Sequence, residues 1–291
     1  MSNIIRQIDG VHFINARGLW KSVEGVAVEN RLRAILNASG VPFFDEHHDF
    51  VKCPQVGIVG IGGIPIAWED SLENNKIALS TAPQVGILPK DISESLLEMA
   101  AFGGYNSYLN SNDKSCDDFI NVLLDNKHYS TTHMLVLNIM ILGVSSSVEN
   151  EFNCQRDIVH LARLTEARTK AQNNPPICVL YPELLVAAQD ILNQCRSSAS
   201  DFRSSTEKIT KDRLEASNIM FPAAKATLFT ITGSIRNLLK LTSLLGDAGK
   251  EEEMKRVLAL LNNSLNALFP KIFPPTESYD YKLPEHLQKL T

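Results

Sequence analysis

The sequence predicts an α+β fold, and three observations carry that expectation. Residues 1–90 hold short runs rich in Val, Ile, Gly and Pro, broken by turn residues, which is the pattern of short strands. Beyond residue 91 the chain changes to longer amphipathic stretches that open on capping residues. Near the C-terminus Met254, Val257, Leu258, Leu261, Leu265 and Leu268 recur at steps of three and four, one buried face of a long helix that stops at "FPKIFPP".

Taken in order, "GVHFINA", "VGIVGIGGIPIAW", "KIALSTA" and "QVGILP" are the expected strands. The glycines of "GIVGIGGIP" suggest a phosphate loop, but Pro65 stands where a dinucleotide fingerprint needs its third glycine, and no Gly-Lys-Ser/Thr follows. Close backbone packing is their expected role. "FDEHHDF" gathers Asp45, Glu46, His47, His48 and Asp49. Adjacent histidines point apart on a strand and no ligand stands at helical spacing, so a polar loop is expected there in preference to a metal site.

Asp91 with Glu94, and Ser115 with Asp118, make capping-box-like starts for "ISESLLEMAAFG" and "DDFINVLLDN". The apolar run "HMLVLNIMILGV" (133–144) is long enough for a buried strand or a buried helix. Its β-branched content and Gly143 lean to strand. Next comes "QRDIVHLARLTEARTKAQNNPP", read as a helix from residue 155 to the proline break. On a helix Arg156, His160 and Arg163 share one face, and guanidinium forks match phosphate oxygens. The alternative is a solvated face laced with ion pairs. "ICVLYP" reads as a strand, Pro182 opens a helix over "PELLVAAQDILNQCR", and the Ser-rich "RSSASDFRSSTEK" (196–208) reads as a loop.

Composition bounds the function. At 44% hydrophobic and 21% charged the chain reads as a soluble globular protein. A net charge of −5 argues against a general nucleic-acid surface and makes any phosphate site local. The cysteines Cys53, Cys116, Cys154, Cys178 and Cys195 are odd in number and lack a CxxC pair, which fits reduced thiols and no structural zinc. No signal peptide and no apolar run of ~20 residues is visible, so a cytoplasmic protein without a membrane span is expected.

The order of the pieces resembles the flavin-dependent thymidylate synthases, also called thymidylate synthase complementing proteins. The resemblance runs over roughly residues 97–275: "HYSTTH" before the apolar strand, the donor-rich segment after it, and "NIMFPAAKATLFTITGSIRNLLKLTSLLG" leading to the final amphipathic helix. It implies a mixed sheet flanked by long helices, with residues 91–291 as the core. Residues 1–90 would then be a strand-rich portion extending that core.

What the family uses at each position transfers unevenly. His128 and Ser130 match its flavin-pocket His-x-Ser, and His133 matches the histidine that follows. Of its Arg-His-Arg, counting places Gln155, Arg156 and Asp157 there, so a cation survives in the middle and Asp157 reverses a sign. Thr165 and Arg168 take the places of a serine and an arginine near the nucleotide, and Glu166 that of the glutamate under a different shift. Ser234 and Arg236 fall on its flavin-contacting Asn and Arg, whereas Asn218 and Leu245 stand where it uses arginines on the nucleotide. Arg163 is an alternative phosphate ligand.

The resemblance thus implies cofactor binding by His128, Ser130, Arg156, Ser234 and Arg236, and substrate binding by Arg163, Thr165, Glu166 and Arg168. It implies FAD as cofactor, NADPH and methylenetetrahydrofolate as co-substrates, a pyrimidine nucleotide as substrate, and a homotetramer with shared sites. The activity implied is methylation of deoxyuridine monophosphate or a related uridine nucleotide. The alternative is a catalytically degenerate flavin-, nucleotide- or folate-binding protein of the same fold.

Overall fold

The computed structural model describes residues 4–27, 30–62, 64–68, 78–79, 125, 132–133, 135–155, 157–163, 177–180, 186–204, 223–247, 249 and 251–276. Strands β1 (Ile5–Ile8) and β2 (Val11–Ile14) form a hairpin turned by Asp9 and Gly10, both at positive φ. Two short helices follow, α1 (Ala16–Ser22) and α2 (Arg31–Ala38). Asn15 starts the first: its side-chain oxygen accepts from the Gly18 N–H and its amide donates to the Trp68 carbonyl.

The chain continues through β3 (Phe50–Val51), β4 (Gln55–Ile61), β5 (Ile64–Ala67), β6 (Ala78–Leu79) and β7 (Val136–Ser145). Helix α3 (Ser146–Cys154), β8 (His160–Arg163), β9 (Cys178–Val179) and α4 (Val186–Ser204) come next. The last elements are β10 (Ala226–Ser234), α5 (Ile235–Ser243), a 3-10 turn (Leu244–Gly246) and α6 (Glu252–Leu268).

The main sheet runs β1-β2-β4-β7-β10-β8, with β5 and β6 continuing off β4, and β3 pairs with β9 apart from it. β2 and β4 are parallel while β4, β7, β10 and β8 alternate in direction, so the sheet is mixed, as expected. It crosses residue 90 without interruption, because β4 pairs with β7 from Gln55↔Leu142 to Ile61↔Leu137.

One face carries Phe13, Ile58, Leu137, Ile139, Phe229 and Ile231 in a single cluster with the buried sides of α3, α5 and α6. All six residues picked out by periodicity in α6 are buried. The other face carries Ile14, Val59, Leu142 and Leu228, which cluster with Leu19 of α1 and Leu32, Ile35 and Leu36 of α2. Gly57 of β4 serves close packing, as expected, since a Cβ there would lie 2.7 Å from Ile14 Cγ1, whereas Gly62 turns the chain at φ 57° with open space where its Cβ would be.

Two expectations are overturned. The donor-rich stretch does not continue as a helix. Helix α3 ends at Cys154, Ile158 N–H donates back to the Gln155 carbonyl, and His160–Arg163 pairs with Thr232–Phe229 of β10. The β-branched pair Ile158 and Val159 and an available neighbouring strand outweigh a helical spacing that was ambiguous. Strand alternation therefore sends His160 and Arg163 to opposite faces. The Ser-rich stretch is not a loop up to residue 204, since Arg196–Ser204 is the second half of α4.

What holds that half is Arg196, 3% exposed. Its guanidinium meets Asp49 Oδ1 at 2.9 Å, donates to Asn193 Oδ1 at 3.0 Å and lies over the Phe50 ring. Arg33 of α2 reaches the same Asp49 oxygen at 2.9 Å and donates to the His47 and His48 carbonyls. The "FDEHHDF" loop is thereby a polar clamp between α2 and α4. The expected helices at 92–103 and 117–126 and the strand at 84–89 lie outside the described residues, apart from Asp125.

Candidate functional site

Strands β7 and β10 each end in a serine that caps the helix behind it. Ser145 Oγ accepts from Val148 N–H at 3.2 Å, and Ser234 Oγ accepts from Asn237 N–H at 3.3 Å. The strands are antiparallel over their whole length, from Ala226↔Ser145 to Ser234↔Val136, so the two helix starts lie at opposite ends of the pair. Each start carries a positive dipole end, which suits an anion or a carbonyl oxygen, while Ser146, Ser147 and Val148 of α3 and Ile235 and Asn237 of α5 already donate their N–H groups within the chain.

The two starts are used differently. At α3 the chain's own carboxylates fill the position: Ser145 N–H donates to Glu253 Oε1 at 2.7 Å and Ser147 Oγ to Glu251 Oε2 at 3.1 Å. At α5 the neighbours are donors instead. Ser234 Oγ lies 3.4 Å from Nδ1 of His133, Arg236 stands half-buried in the first turn, and the Ile235 N–H is anchored on the Leu135 carbonyl. Serine in this place is 8% exposed while His133 is exposed, so the corner opens outward from a fixed base.

Of the residues picked out from sequence, the structure brings Ser234 and His133 together at this corner, with Arg236 two residues on in the first turn of α5. Arg163 lies elsewhere. It is five residues along β10 from Ser234 by its pairing with Phe229, about 17 Å at ordinary strand rise. Its guanidinium is 3.5 Å from Glu149 Oε1 of α3, a carboxylate whose side chain is 11% exposed. Gln155 ends α3, Asp157 is exposed, and Leu245 packs against the main core. His128, Ser130, Arg156, Thr165, Glu166, Arg168 and Asn218 lie outside the described residues.

Sequence reasoning missed two contributors next to the corner. Asn138 of β7 donates through Nδ2 to Thr232 Oγ1 of β10 at 2.8 Å. Both sit on the sheet face opposite α6, two residues along each strand from the Val136–Ser234 pair. A polar residue inside "MLVLNIMILGV", once that run is read as a strand, was the available signal. Among the described residues no cluster of three or more His, Cys, Asp or Glu is arranged to hold a metal, and no helix is long and apolar enough to cross a membrane.

The sequence model of the thymidylate synthase complementing protein family (Thy1) matches residues 90–271, more than half of the chain. Among solved structures, a thymidylate synthase X (ThyX) from Helicobacter pylori with FAD and dUMP superposes at a TM-score of 0.50 and 17% identity, covering 61% of this chain and 92% of that one. A second structure of the flavin-dependent enzyme from the same organism, complexed with FAD and dUMP, gives 0.49 and 13%, covering 61% and 93%. No curated protein sequence matches in direct comparison. The first superposition speaks for the fold, an α+β arrangement around a mixed sheet, and the family match extends over the strands and helices that build the corner at Ser234. By that match the chain belongs to the thymidylate synthase complementing protein family.

Proposed function

We propose that the protein is a flavin-dependent enzyme that methylates a pyrimidine nucleotide, with deoxyuridine monophosphate as the first candidate substrate. The observation that carries the reading is the corner at the start of α5, where Ser234 meets His133 and Arg236 follows two residues later, within a segment matched by the family. FAD and dUMP are the molecules named with the similar Helicobacter pylori structures. The donor set suits such ligands: an Arg fork, a histidine and a helix start all favour flavin carbonyl or phosphate oxygens.

Arg236 and Ser234 would hold the flavin on this chain, joined by His128, Ser130 and Arg156 as the resemblance implies. Arg163, Thr165, Glu166 and Arg168 would serve the nucleotide. When bound, the flavin supplies hydride chemistry, with methylenetetrahydrofolate and NADPH as the carbon and electron sources; the chain's residues bind, orient and exclude water. A protein nucleophile is not required of the cysteines, and burial pushes the Cys178 thiol up to about 12. A homotetramer with sites shared between copies and a cytoplasmic location belong to the same proposal.

A second reading has its own support. Gln155 and Asp157 replace two of the family's cations, Leu245 replaces a third and is packed on the core, and Arg163 is already engaged by Glu149. These favour a binding protein of the same fold that holds flavin or nucleotide without turnover. Incubation with FAD, NADPH, methylenetetrahydrofolate and dUMP separates the two. Formation of dTMP with turnover supports the enzyme; bound flavin and nucleotide with no dTMP supports the binder.

A further inference from the structure

Four residues form one row across the sheet: Gly60 of β4, Asn138 of β7, Thr232 of β10 and His160 of β8, each the register partner of the next. The row lies on the face opposite α6, one pleat repeat from the Ser234 corner, about 7 Å along the strands. Asn138 Nδ2 donates to Thr232 Oγ1, which fixes the amide and leaves the Thr232 hydroxyl hydrogen to donate onward. Asn138 Oδ1 is buried and has no hydrogen-bond partner. Its neighbour across the strand is Gly60, which has no side chain to supply one.

A buried acceptor left alone is costly, so a fold that keeps one between a fixed amide and a glycine is holding a place for a donor. Asn138 and Thr232 together offer an acceptor and a donor side by side, the complement of an N–H next to a C=O. We propose that Asn138, steadied by Thr232, binds the imide edge of a ring ligand by accepting its N–H at Oδ1. A cyclic imide is the chemistry shared by the pyrimidine ring of a flavin and the uracil of a uridine nucleotide. The inference rests on the proposed function above and adds to it a residue that selects for an unsubstituted imide.

The test is equilibrium binding of FAD and of dUMP, each with its N3-methyl analogue, to the full chain and to Asn138→Leu and Asn138→Asp. For whichever ligand uses the row, Asn138→Leu weakens binding by about tenfold or more, and Asn138→Asp, which keeps an acceptor, stays within about threefold. N3-methylation weakens binding to the unaltered protein by a similar factor and has no further effect on Asn138→Leu. Loss for FAD alone assigns the row to the flavin, and loss for dUMP alone assigns it to the nucleotide. Thr232→Val, which keeps the side-chain shape, serves where Asn138→Leu does not fold, with the same direction expected. Unaltered affinity for both ligands in the variants overturns the inference and leaves the proposed function standing. A native protein that binds neither ligand overturns both.

Discussion

At Ser234 one hydroxyl oxygen does two things: it caps the first turn of α5 through Asn237 N–H and meets His133 at 3.4 Å. Neighbouring Arg236 is half-buried and has no assigned role in the core. Arg236→Ala should therefore weaken FAD by about tenfold or more, the worth of a charge-assisted hydrogen bond, while leaving the urea midpoint nearly unchanged. A variant with native flavin affinity would remove Arg236 from the site. His12 of β2 is different, because burial pushes its imidazole below the ordinary 6.5. The unfolded chain then binds the proton more readily, so this contribution to stability is present above about pH 6.5 and is lost as pH falls. His12→Gln should flatten the decline in urea midpoint between pH 7.5 and 5.5; an unaltered slope would assign the decline to other groups.

Among the elements, the clamp built on Asp49 ties the N-terminal helix α2 to α4 through two guanidiniums on one oxygen. Asp49→Ala removes the carboxylate that the buried Arg196 and Arg33 share, and should cost about 3 kcal/mol in urea denaturation. A loss below ~1 kcal/mol would mean that the other contacts of Arg196 suffice. Gly57→Ala, which forces a Cβ against Ile14, should cost roughly 1–3 kcal/mol by the same measurement.

Strong local patterns were legible at this scale. The buried stripe of α6, the apolar strand β7 and the strands β2, β4 and β5 follow directly from spacing. Pairings between distant segments were not legible. His160–Arg163 becomes a strand because β10 lies beside it, and Arg196–Ser204 stays helical while Arg196 finds Asp49, 147 residues earlier in the chain. The short helices α1 and α2 were missed because each has few turns in which to show a period. In the candidate site the resemblance pointed to Ser234 and Arg236, whereas the Asn138–Thr232 contact spans 94 positions in sequence and no local spacing signals it.

For the molecule as a whole, the family match begins at residue 90, yet β2 and β4 of the preceding segment extend the same sheet and cover the edge of β7. Cutting the chain at residue 90 would strip β7 of that neighbour and expose Ile139 and Ile141, so the shortened chain should aggregate or fail to fold. Light scattering on the full chain should give about four times its 32.2 kDa mass if sites are shared as proposed, and a monomer would count against that arrangement. The measurement that bears most directly on the central claim is the visible absorption spectrum of the purified protein after FAD is added and the excess removed. The account predicts a retained flavin band near one per chain that falls in Arg236→Ala. A colourless protein after reconstitution would contradict it, leaving a family member whose fold persists without its cofactor.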